Sequence, residues 1–274
     1  TFSPANYGPL LAPNSVILLR NALNVGFVER RPTKIAYWIL LYVATGLSLL
    51  FSKRAITVSE YARTSASGGI FKSRISIVPH GVDARFTDEP LAEREDFLLA
   101  VSDLYVQKNF NRLLAAIAVL RDKHPNIRLK IAGRALDDEY HTALLSDVER
   151  LGLADHVEFL GHVAPDGLLD LYQRCGVFVF PSLVETFGNS LVEAMACGAP
   201  VATSSTAAMP EVAGEGALYF DPKDVSDMAS VLGSLLDDPE RRRVAGQKAL
   251  ERAKSYSWSS TAEKTLSILL GSTH

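Results

Sequence analysis

One stretch of the chain decides the fold: Val177-Phe-Val-Phe-Pro-Ser-Leu-Val-Glu185-Thr-Phe-Gly-Asn-Ser-Leu-Val-Glu193-Ala-Met-Ala-Cys-Gly198-Ala-Pro-Val201. It opens with an uninterrupted apolar run that ends in proline, which is typical of a strand buried on both faces of a parallel sheet. A polar segment with a glycine follows, and then a short apolar helix that ends at Gly198 and the nearby proline. The stretch therefore predicts a strand, a turn that carries Glu185, and a helix that carries Glu193 near its start.

The predicted turn between strand and helix is a candidate ligand site. In an open parallel sheet, ligands bind at the carboxyl ends of the strands, where helix N-termini offer free N–H groups to anions. Carboxylates accept pairs of hydrogen bonds from vicinal hydroxyls on a ribose or a hexose, which gives Glu185 and Glu193 separate tasks. The pattern indicates a nucleotide-sugar as the ligand. The amides predicted to meet its phosphate or sugar hydroxyls belong to Phe187, Gly188, Asn189 and Ser190.

Five further segments accompany this stretch. They are Val78-Pro-His-Gly-Val-Asp83, Gln107-Lys-Asn109, Ile131-Ala-Gly133, Val157-Glu-Phe-Leu-Gly161 and Pro210-Glu-Val212. Together with the two glutamates and the Phe-Gly between them, they resemble the donor-binding half of the retaining glycosyltransferases of the GT-B fold, in the large family numbered four (glycosyl transferases group 1). Six motifs in the expected order are far more specific than one.

The alternation of apolar runs and helical segments predicts an α/β protein built by βαβ winding. The resemblance implies the GT-B fold, with two Rossmann-like doubly wound domains. We expect residues 1–90 to be the later part of the acceptor-side domain, 91–255 the donor-binding domain, and 256–274 a terminal helix that crosses back to the first domain. The glycine-bearing loop with which the family's first domain opens has no match here. The N-terminal domain is therefore expected to be incomplete and the chain N-terminally truncated.

The resemblance also implies roles for individual residues. Glu185 resembles the glutamate that faces the transferred sugar, either as a nucleophile or as a group that stabilises an oxocarbenium-like transition state. Glu193 resembles the glutamate that holds the ribose hydroxyls. Lys108 is expected to reach the diphosphate and to stabilise charge on the leaving phosphate, and it counts as catalytic with Glu185. Asp103 stands where the family usually has an arginine, which removes one positive charge from the expected phosphate clamp.

Two further groups of residues carry weaker implied roles. Gly161, His162 and Val163 follow a strand at the place where the family contacts the base of the donor. Arg20 and Asn21 occupy roughly the place where the family often has a histidine near the sugar, so they are expected on the acceptor side.

Composition and charge indicate which partners and cofactors the chain is expected to have. The chain has 274 residues and a net charge of -3, which gives no sign of nucleic-acid binding. Its two cysteines have no metal-ligand spacing and fit a reducing cytoplasm. We predict neither a metal site nor a cofactor. Residues 35–51 lack any charge, which favours a buried helix but leaves open a peripheral contact with the inner face of a membrane and a true membrane span.

The sequence thus predicts a metal-independent, cytoplasmic enzyme that transfers a hexose from a nucleoside-diphosphate sugar, such as a UDP- or GDP-sugar, with retention of configuration. The acceptor would be a glycan, a lipid-linked molecule or a small molecule. An alternative is an inactive nucleotide-sugar-binding module or fragment. A dinucleotide-dependent oxidoreductase is disfavoured because no Gly-x-Gly-x-x-Gly follows a predicted first strand.

Overall fold

The computed structural model describes residues 1–8, 12, 14–20, 26, 28–87 and 94–271. The strands in these ranges are β1 (Phe2–Ser3), β2 (Val16–Leu19), β3 (Arg54–Thr57), β4 (Ile75–Ile77), β5 (Glu95–Val101), β6 (Leu129–Ala132), β7 (Val157–Gly161), β8 (Cys175–Phe180), β9 (Val201–Ser204) and β10 (Leu218–Phe220). The helices are α1 (Pro32–Phe51), α2 (Glu60–Ser67), α3 (Phe110–Arg121), α4 (Asp138–Arg150), α5 (Pro165–Arg174), α6 (Asn189–Ala196), α7 (Met209–Ala213), α8 (Val225–Leu236), α9 (Pro239–Ala253) and α10 (Trp258–Leu270).

The chain divides into two compact units. Unit 1 comprises Thr1–Gly81, Val184–Gly188 and Tyr256–His274, and unit 2 comprises Val82–Leu183 and Asn189–Ser255. The predicted division at residues 90 and 255 takes no account of the short segment 184–188. That segment lies in unit 1 although the chain on both sides of it lies in unit 2.

Unit 1 is built on a four-stranded parallel sheet in the order β1-β2-β3-β4. Alternate residues of its strands face opposite sides. Ile17 and Leu19 pack with Leu41 and Leu49 of α1 on one side, and Val16, in a cluster with Ile268 of α10, faces the other. At the N-terminus, Phe2–Ser3 adds a short parallel strand beside β2.

Unit 2 contains a six-stranded parallel sheet in the order β10-β9-β8-β5-β6-β7. The chain winds outward from β5 to β6 and β7, and then from β8 to β9 and β10, so the order reverses between β5 and β8. Such a reversal is the point where open α/β sheets bind ligands. All six residues of β8 are buried, as the apolar run predicts, although the strand begins two residues earlier, at Cys175.

Candidate functional site

Glu193 lies in α6, the helix that follows the central strand β8. The Tyr172 hydroxyl of α5 donates a hydrogen bond of 3.0 Å to Glu193 Oε2. Burial raises the pKa of Glu193, the bond from Tyr172 opposes that rise, and the charge of Asp83 adds to it. Burial also raises the pKa of Tyr172 well above its usual range, which keeps its hydroxyl a donor. Because a carboxylate offers about four acceptor positions, Glu193 keeps capacity for ligand hydroxyls.

The loop after β5 carries Lys108 and is tied to the loop after β8. Asn109 is fully buried with a left-handed φ of 61°, and its Nδ2 donates to the carbonyls of Pro181 (3.1 Å) and Pro222 (2.8 Å). The Leu183 amide donates to the Gln107 carbonyl at 2.8 Å. These bonds fix the short 3-10 helix that ends at Lys108. The loop therefore has a defined position at the carboxyl ends of the two central strands.

The Lys108 ammonium lies at this same edge of the sheet. Its Nζ is 5.9 Å from the ring centroid of Phe180, the last residue of β8. The hydroxyl of Ser190, in the first turn of α6, donates 3.0 Å to the carbonyl of Val101 at the end of β5. Ser190 therefore uses its hydroxyl inside the fold, and its backbone N–H remains the group suited to a ligand anion.

Glu185 lies in the segment Val184–Gly188 of unit 1, and the neighbouring Thr186 fixes that segment. Ser59 Oγ donates 2.6 Å to the Thr186 carbonyl, and Thr186 Oγ1 donates 3.1 Å to the Arg20 carbonyl. The structure therefore brings Arg20 next to the segment that carries Glu185. Asn21, predicted beside it, lies outside the described residues.

Aromatic contacts hold the other end of the segment. The Phe187 ring centroid lies 5.3 Å from that of His80 and 5.3 Å from that of Tyr256. Gly188 then adopts a left-handed φ of 87°, which glycine reaches without steric cost. The side chain of Phe187 is thus a packing group of unit 1, and only its amide is a candidate for ligand binding.

Asp103, the predicted departure from the arginine, forms an ion pair with Arg134. Arg134 donates from its backbone N (2.9 Å) and from Nη2 (2.8 Å) to the two carboxylate oxygens of Asp103. The hydrogen bond from the Arg134 side chain lowers the pKa of Asp103. The loops after β5 and β6 meet here so closely that a Cβ at Gly133 would lie 1.9 Å from the Ser102 carbonyl oxygen. The negative charge of Asp103 is therefore matched by a cation from the next strand.

Gly161, His162 and Val163 lie at the end of β7, three strands along the sheet from β8. Strands are spaced about 4.8 Å apart, so this segment is about 14 Å from the β8 end. The Gly133 amide donates 2.8 Å to the Gly161 carbonyl, and Gly161 has a left-handed φ of 65°. By strand order these three residues therefore lie apart from the end of β8, and an extended ligand would be needed to contact both places.

The described residues contain no group of three or more His, Cys, Asp or Glu side chains suited to a metal ion. The acidic run that begins α4 has a different use. Asp137 caps the helix, accepting a hydrogen bond of 3.3 Å from the Tyr140 amide. This is the capping role expected for acidic residues at a helix start.

Sequence reasoning gave no role to four residues that shape the site: Ser59, Asn109, Tyr172 and Thr186. For Asn109 a signal existed, because Asn before an apolar helical run often adopts the left-handed conformation that the loop needs. Tyr172 gave none, since an aromatic residue in an amphipathic helix indicates only core packing. Its pairing with Glu193 depends on the contact between α5 and α6, which the sequence does not encode locally.

Comparison with known proteins bears on both units. The model of the family described as glycosyl transferases group 1 matches residues 82–252. The phosphatidylinositol N-acetylglucosaminyltransferase gpi3 subunit of Schizosaccharomyces pombe is 33% identical over 196 residues, which are 70% of this chain and 42% of that protein. The O-antigen chain mannosyltransferase B of Escherichia coli is 32% identical over 177 residues, 63% of this chain and 45% of that protein. The chain thus spans less than half the length of these two relatives, whose names do not favour an inactive binding module.

Solved structures show the same fold. Anabaena Alr3699/HepE, in complex with UDP and glucose, has a TM-score of 0.81 at 21% identity, and the match covers 94% of this chain and 71% of that one. Sucrose-phosphate synthase from Thermosynechococcus elongatus has a TM-score of 0.78 at 22% identity, covering 93% of this chain and 67% of that one. At this level of identity the likeness establishes the GT-B fold, which confirms the predicted fold class.

Proposed function

The chain belongs to the family of group 1 glycosyl transferases, and from that premise we propose that it transfers a sugar from a nucleoside-diphosphate sugar to an acceptor, with retention of anomeric configuration. One observation carries the proposal. At the reversal of strand order in unit 2, the loop that carries Lys108 is fixed beside the end of β8. The helix that follows β8 carries Glu193, whose carboxylate accepts a hydrogen bond from the buried Tyr172. At this edge of the sheet, the Lys108 ammonium can bind the diphosphate of a donor and the Glu193 carboxylate can bind its ribose.

The donor-binding roles follow from the chemistry of each group. Glu193 accepts hydrogen bonds from the two ribose hydroxyls, with Tyr172 holding its other oxygen. The amides of residues 187–190 and the Lys108 ammonium bind the diphosphate. As the sugar leaves, negative charge grows on the phosphate, and a cation placed there in advance stabilises it. Arg134 supplies a second cation in place of the arginine that Asp103 replaces.

The base of the donor contacts residues 161–163, about 14 Å along the sheet from β8. A nucleotide that lies across the carboxyl ends of the strands would reach both places. We propose a UDP-sugar as the first donor to test, because the structurally similar Alr3699/HepE was determined with UDP-glucose. A GDP-sugar is the second.

Glu185 faces the transferred sugar in this proposal and stabilises the positive charge that develops at its anomeric carbon. The hydrogen bonds of Thr186 with Ser59 and Arg20 support a fixed position for the backbone beside Glu185. Arg20, bound to the same segment through its carbonyl, is proposed on the acceptor side. We further propose that transfer needs no metal, since Lys108 and the helix amides provide positive charge. Activity that survives chelation by EDTA is the expected result.

The acceptor is proposed to be a glycan, a lipid-linked molecule or a small molecule, used in the cytoplasm or at the inner face of its membrane. The names of two relatives support this range of acceptors, since one refers to phosphatidylinositol and the other to an O-antigen chain. A panel of acceptors offered with a radiolabelled donor sugar distinguishes these classes by the product that gains the label.

The first experiment measures donor binding by thermal shift with UDP, GDP and their sugars. A ligand that binds only the native state raises the melting temperature by mass action. We expect a shift with one base that Glu193→Gln and Lys108→Ala both reduce. Lys130→Ala is the matched control, because Lys130 also lies over an aromatic ring, 4.5 Å from the centroid of Phe97, but within β6. Absence of any shift, or an equal loss in the Lys130 variant, would contradict the proposed site.

A further inference from the structure

Helix α1 of unit 1 is apolar on both faces. Its inner face, which includes Leu41 and Leu49, packs on the sheet. Its outer face carries large apolar side chains that are between 43% and 69% exposed. They are Tyr37, Ile39, Leu40, Tyr42, Val43, Leu47, Leu50 and Phe51. A surface helix of a soluble protein has polar residues on this side, so the outer face of α1 is suited to an apolar environment.

Cations stand at both ends of this apolar face. Residues 29–54 contain five arginines and lysines and a single acid, Glu29, whereas the whole chain has a net charge of -3. Glu29 is itself bound by Arg31 at 2.7 Å. Arg30 before the helix and Lys53 after it are exposed. The segment that contains α1 is therefore positive in a chain that is negative as a whole.

Helix stability accounts for the cations that follow the C-terminus of α1 but not for those at its N-terminal end. The positive end of a helix dipole lies at its N-terminus and favours acids there, but the first turn of α1 contains no acid and does contain Lys34. Cations at that end oppose the dipole. An external anionic surface accounts for them and for the exposed apolar face together.

We propose that the outer face of α1 docks on an anionic lipid bilayer. Apolar side chains buried at the boundary of the acyl chains, with flanking cations on anionic headgroups, are the two interactions that hold interfacial helices. The end of α2 extends this surface, because a Cβ at Gly68 would lie 3.8 Å from the Tyr42 hydroxyl, and Ile70 beyond it is 80% exposed. The inference deepens the membrane-face location proposed above and uses no residue of the donor site.

The helix lies on the bilayer and does not cross it. The described residues contain one helix long and apolar enough to span a membrane, and that helix is α1. Spanning would expose its inner face, where Leu41 and Leu49 pack with Ile17 and Leu19 of β2 and the Ser48 hydroxyl accepts a hydrogen bond of 3.2 Å from the Gly8 amide. Those contacts hold α1 on the sheet, so only the outer face is available to lipid.

Co-sedimentation with vesicles tests the proposal. The chain is mixed with vesicles of phosphatidylcholine alone or of phosphatidylcholine and phosphatidylserine, and we expect binding to the anionic vesicles. The double variant Leu40→Glu/Leu47→Glu should lower partitioning by about a hundredfold, because two leucines no longer enter the bilayer. Arg30→Gln/Lys53→Gln should lower it by about fivefold per cation, on anionic vesicles only. The matched control is Val119→Glu/Leu145→Glu, two comparably exposed apolar positions in unit 2.

Two further measurements keep the outcomes distinct. Leu40→Trp should show a larger blue shift of tryptophan fluorescence on anionic vesicles than the parent chain, whose Trp38 and Trp258 set the background, and the difference reports entry of position 40 into the bilayer. Thermal shift by nucleotide is measured on the same α1 variants and should match that of the parent chain, so that failure of docking and failure of the donor site are separable. The proposal is overturned if the parent chain ignores anionic vesicles, if the α1 and control variants lose binding equally, or if the α1 variants abolish only a dimer seen without lipid.

Discussion

The two units cover their apolar surface in different ways. In unit 2 the central strand β8 is buried along its whole length, and a single cluster of buried residues joins the sheet to α3, α4 and α8. In unit 1 the long helix α1 buries one stripe, which includes Leu41 and Leu49, and exposes large apolar side chains along another. Unit 2 therefore buries most of its apolar side chains and exposes only scattered ones, whereas unit 1 exposes a contiguous set along one helix. The docking surface proposed for unit 1 therefore has no counterpart among the residues proposed to bind the donor in unit 2.

The comparison predicts that removing a large apolar side chain lowers the free energy of unfolding far more in the core of unit 2 than on the outer face of α1. Phe178→Ala in β8 should lower the free energy of unfolding by about 3–5 kcal/mol, because it leaves a cavity against Tyr172 and Phe180. Leu40→Ala on the outer face of α1 should change it by less than about 0.5 kcal/mol. Urea unfolding followed by circular dichroism measures both. A Leu40 variant as destabilised as the Phe178 variant would mean that the outer face of α1 is packed.

A second prediction concerns the edge of unit 2 where the donor is proposed to bind. Asn109→Ala should cost about 2–3 kcal/mol, since it removes the two hydrogen bonds to Pro181 and Pro222 and places alanine in a left-handed conformation. It should also weaken nucleotide binding, because the neighbouring Lys108 loses its support. The control is Asn111→Ala, an exposed position two residues along. Equal stability of the two variants in urea unfolding would show that the loop does not depend on Asn109.

Most of unit 2 was predictable from sequence because its strands and helices have recognisable local sequence patterns. The apolar run before Pro181 predicted a strand buried on both faces, and β8 has that character. Unit 1 offers one such case as well, because α10 (Trp258–Leu270) lies within residues 256–274, where the terminal helix was expected. Periodicity and capping residues are local signals, so they can be recognised in the sequence without knowledge of the fold.

The parts that sequence did not supply depend on contacts between distant residues. No local pattern indicates that Tyr172 donates to Glu193, or that Arg134 pairs with Asp103 across 31 positions. The assignment of the Glu185 segment to unit 1 is of the same kind, because it rests on bonds from Ser59 and to Arg20. The roles of Glu185, Lys108 and Glu193 in transfer stay predictions until binding and activity are measured.

The third prediction tests how Glu193 is held. Tyr172→Phe should lower the free energy of unfolding at neutral pH by about 1–2 kcal/mol, because a buried carboxylate loses a donor. Nucleotide binding should weaken as well. Phe86→Leu, which alters a ring that packs on Tyr172 and leaves the hydroxyl in place, is the control.

The pH dependence of the same variant has a definite sign. Burial raises the pKa of Glu193 above its usual 4.5, so its contribution to stability is full at low pH and is lost as pH rises through the raised pKa. The bond from Tyr172 lowers that pKa, and its removal raises it further. The deficit of Tyr172→Phe should therefore be largest at neutral pH and shrink below pH 4.5, where Glu193 is protonated in both proteins. A deficit that does not change with pH would mean that the hydroxyl does not act on the charged carboxylate.

The smallest effect on stability is expected at Asp103. The Asp103–Arg134 ion pair is solvent-exposed on the arginine side, where pairs contribute little. The hydrogen bond from Arg134 lowers the pKa of Asp103, so the pair stabilises the fold above the ordinary aspartate pKa and loses that effect as pH falls through the lowered value. Asp103→Asn should be slightly less stable than the parent at neutral pH and indistinguishable from it in acid or in high salt.

Nucleotide binding distinguishes the two roles of this ion pair more sharply than stability does. If Arg134 supplies the missing cation, Arg134→Gln should weaken the thermal shift by nucleoside diphosphate. Asp103→Asn, which releases the guanidinium from the ion pair, should preserve or strengthen that shift. Equal weakening in both variants would instead mean that the pair only shapes the loop.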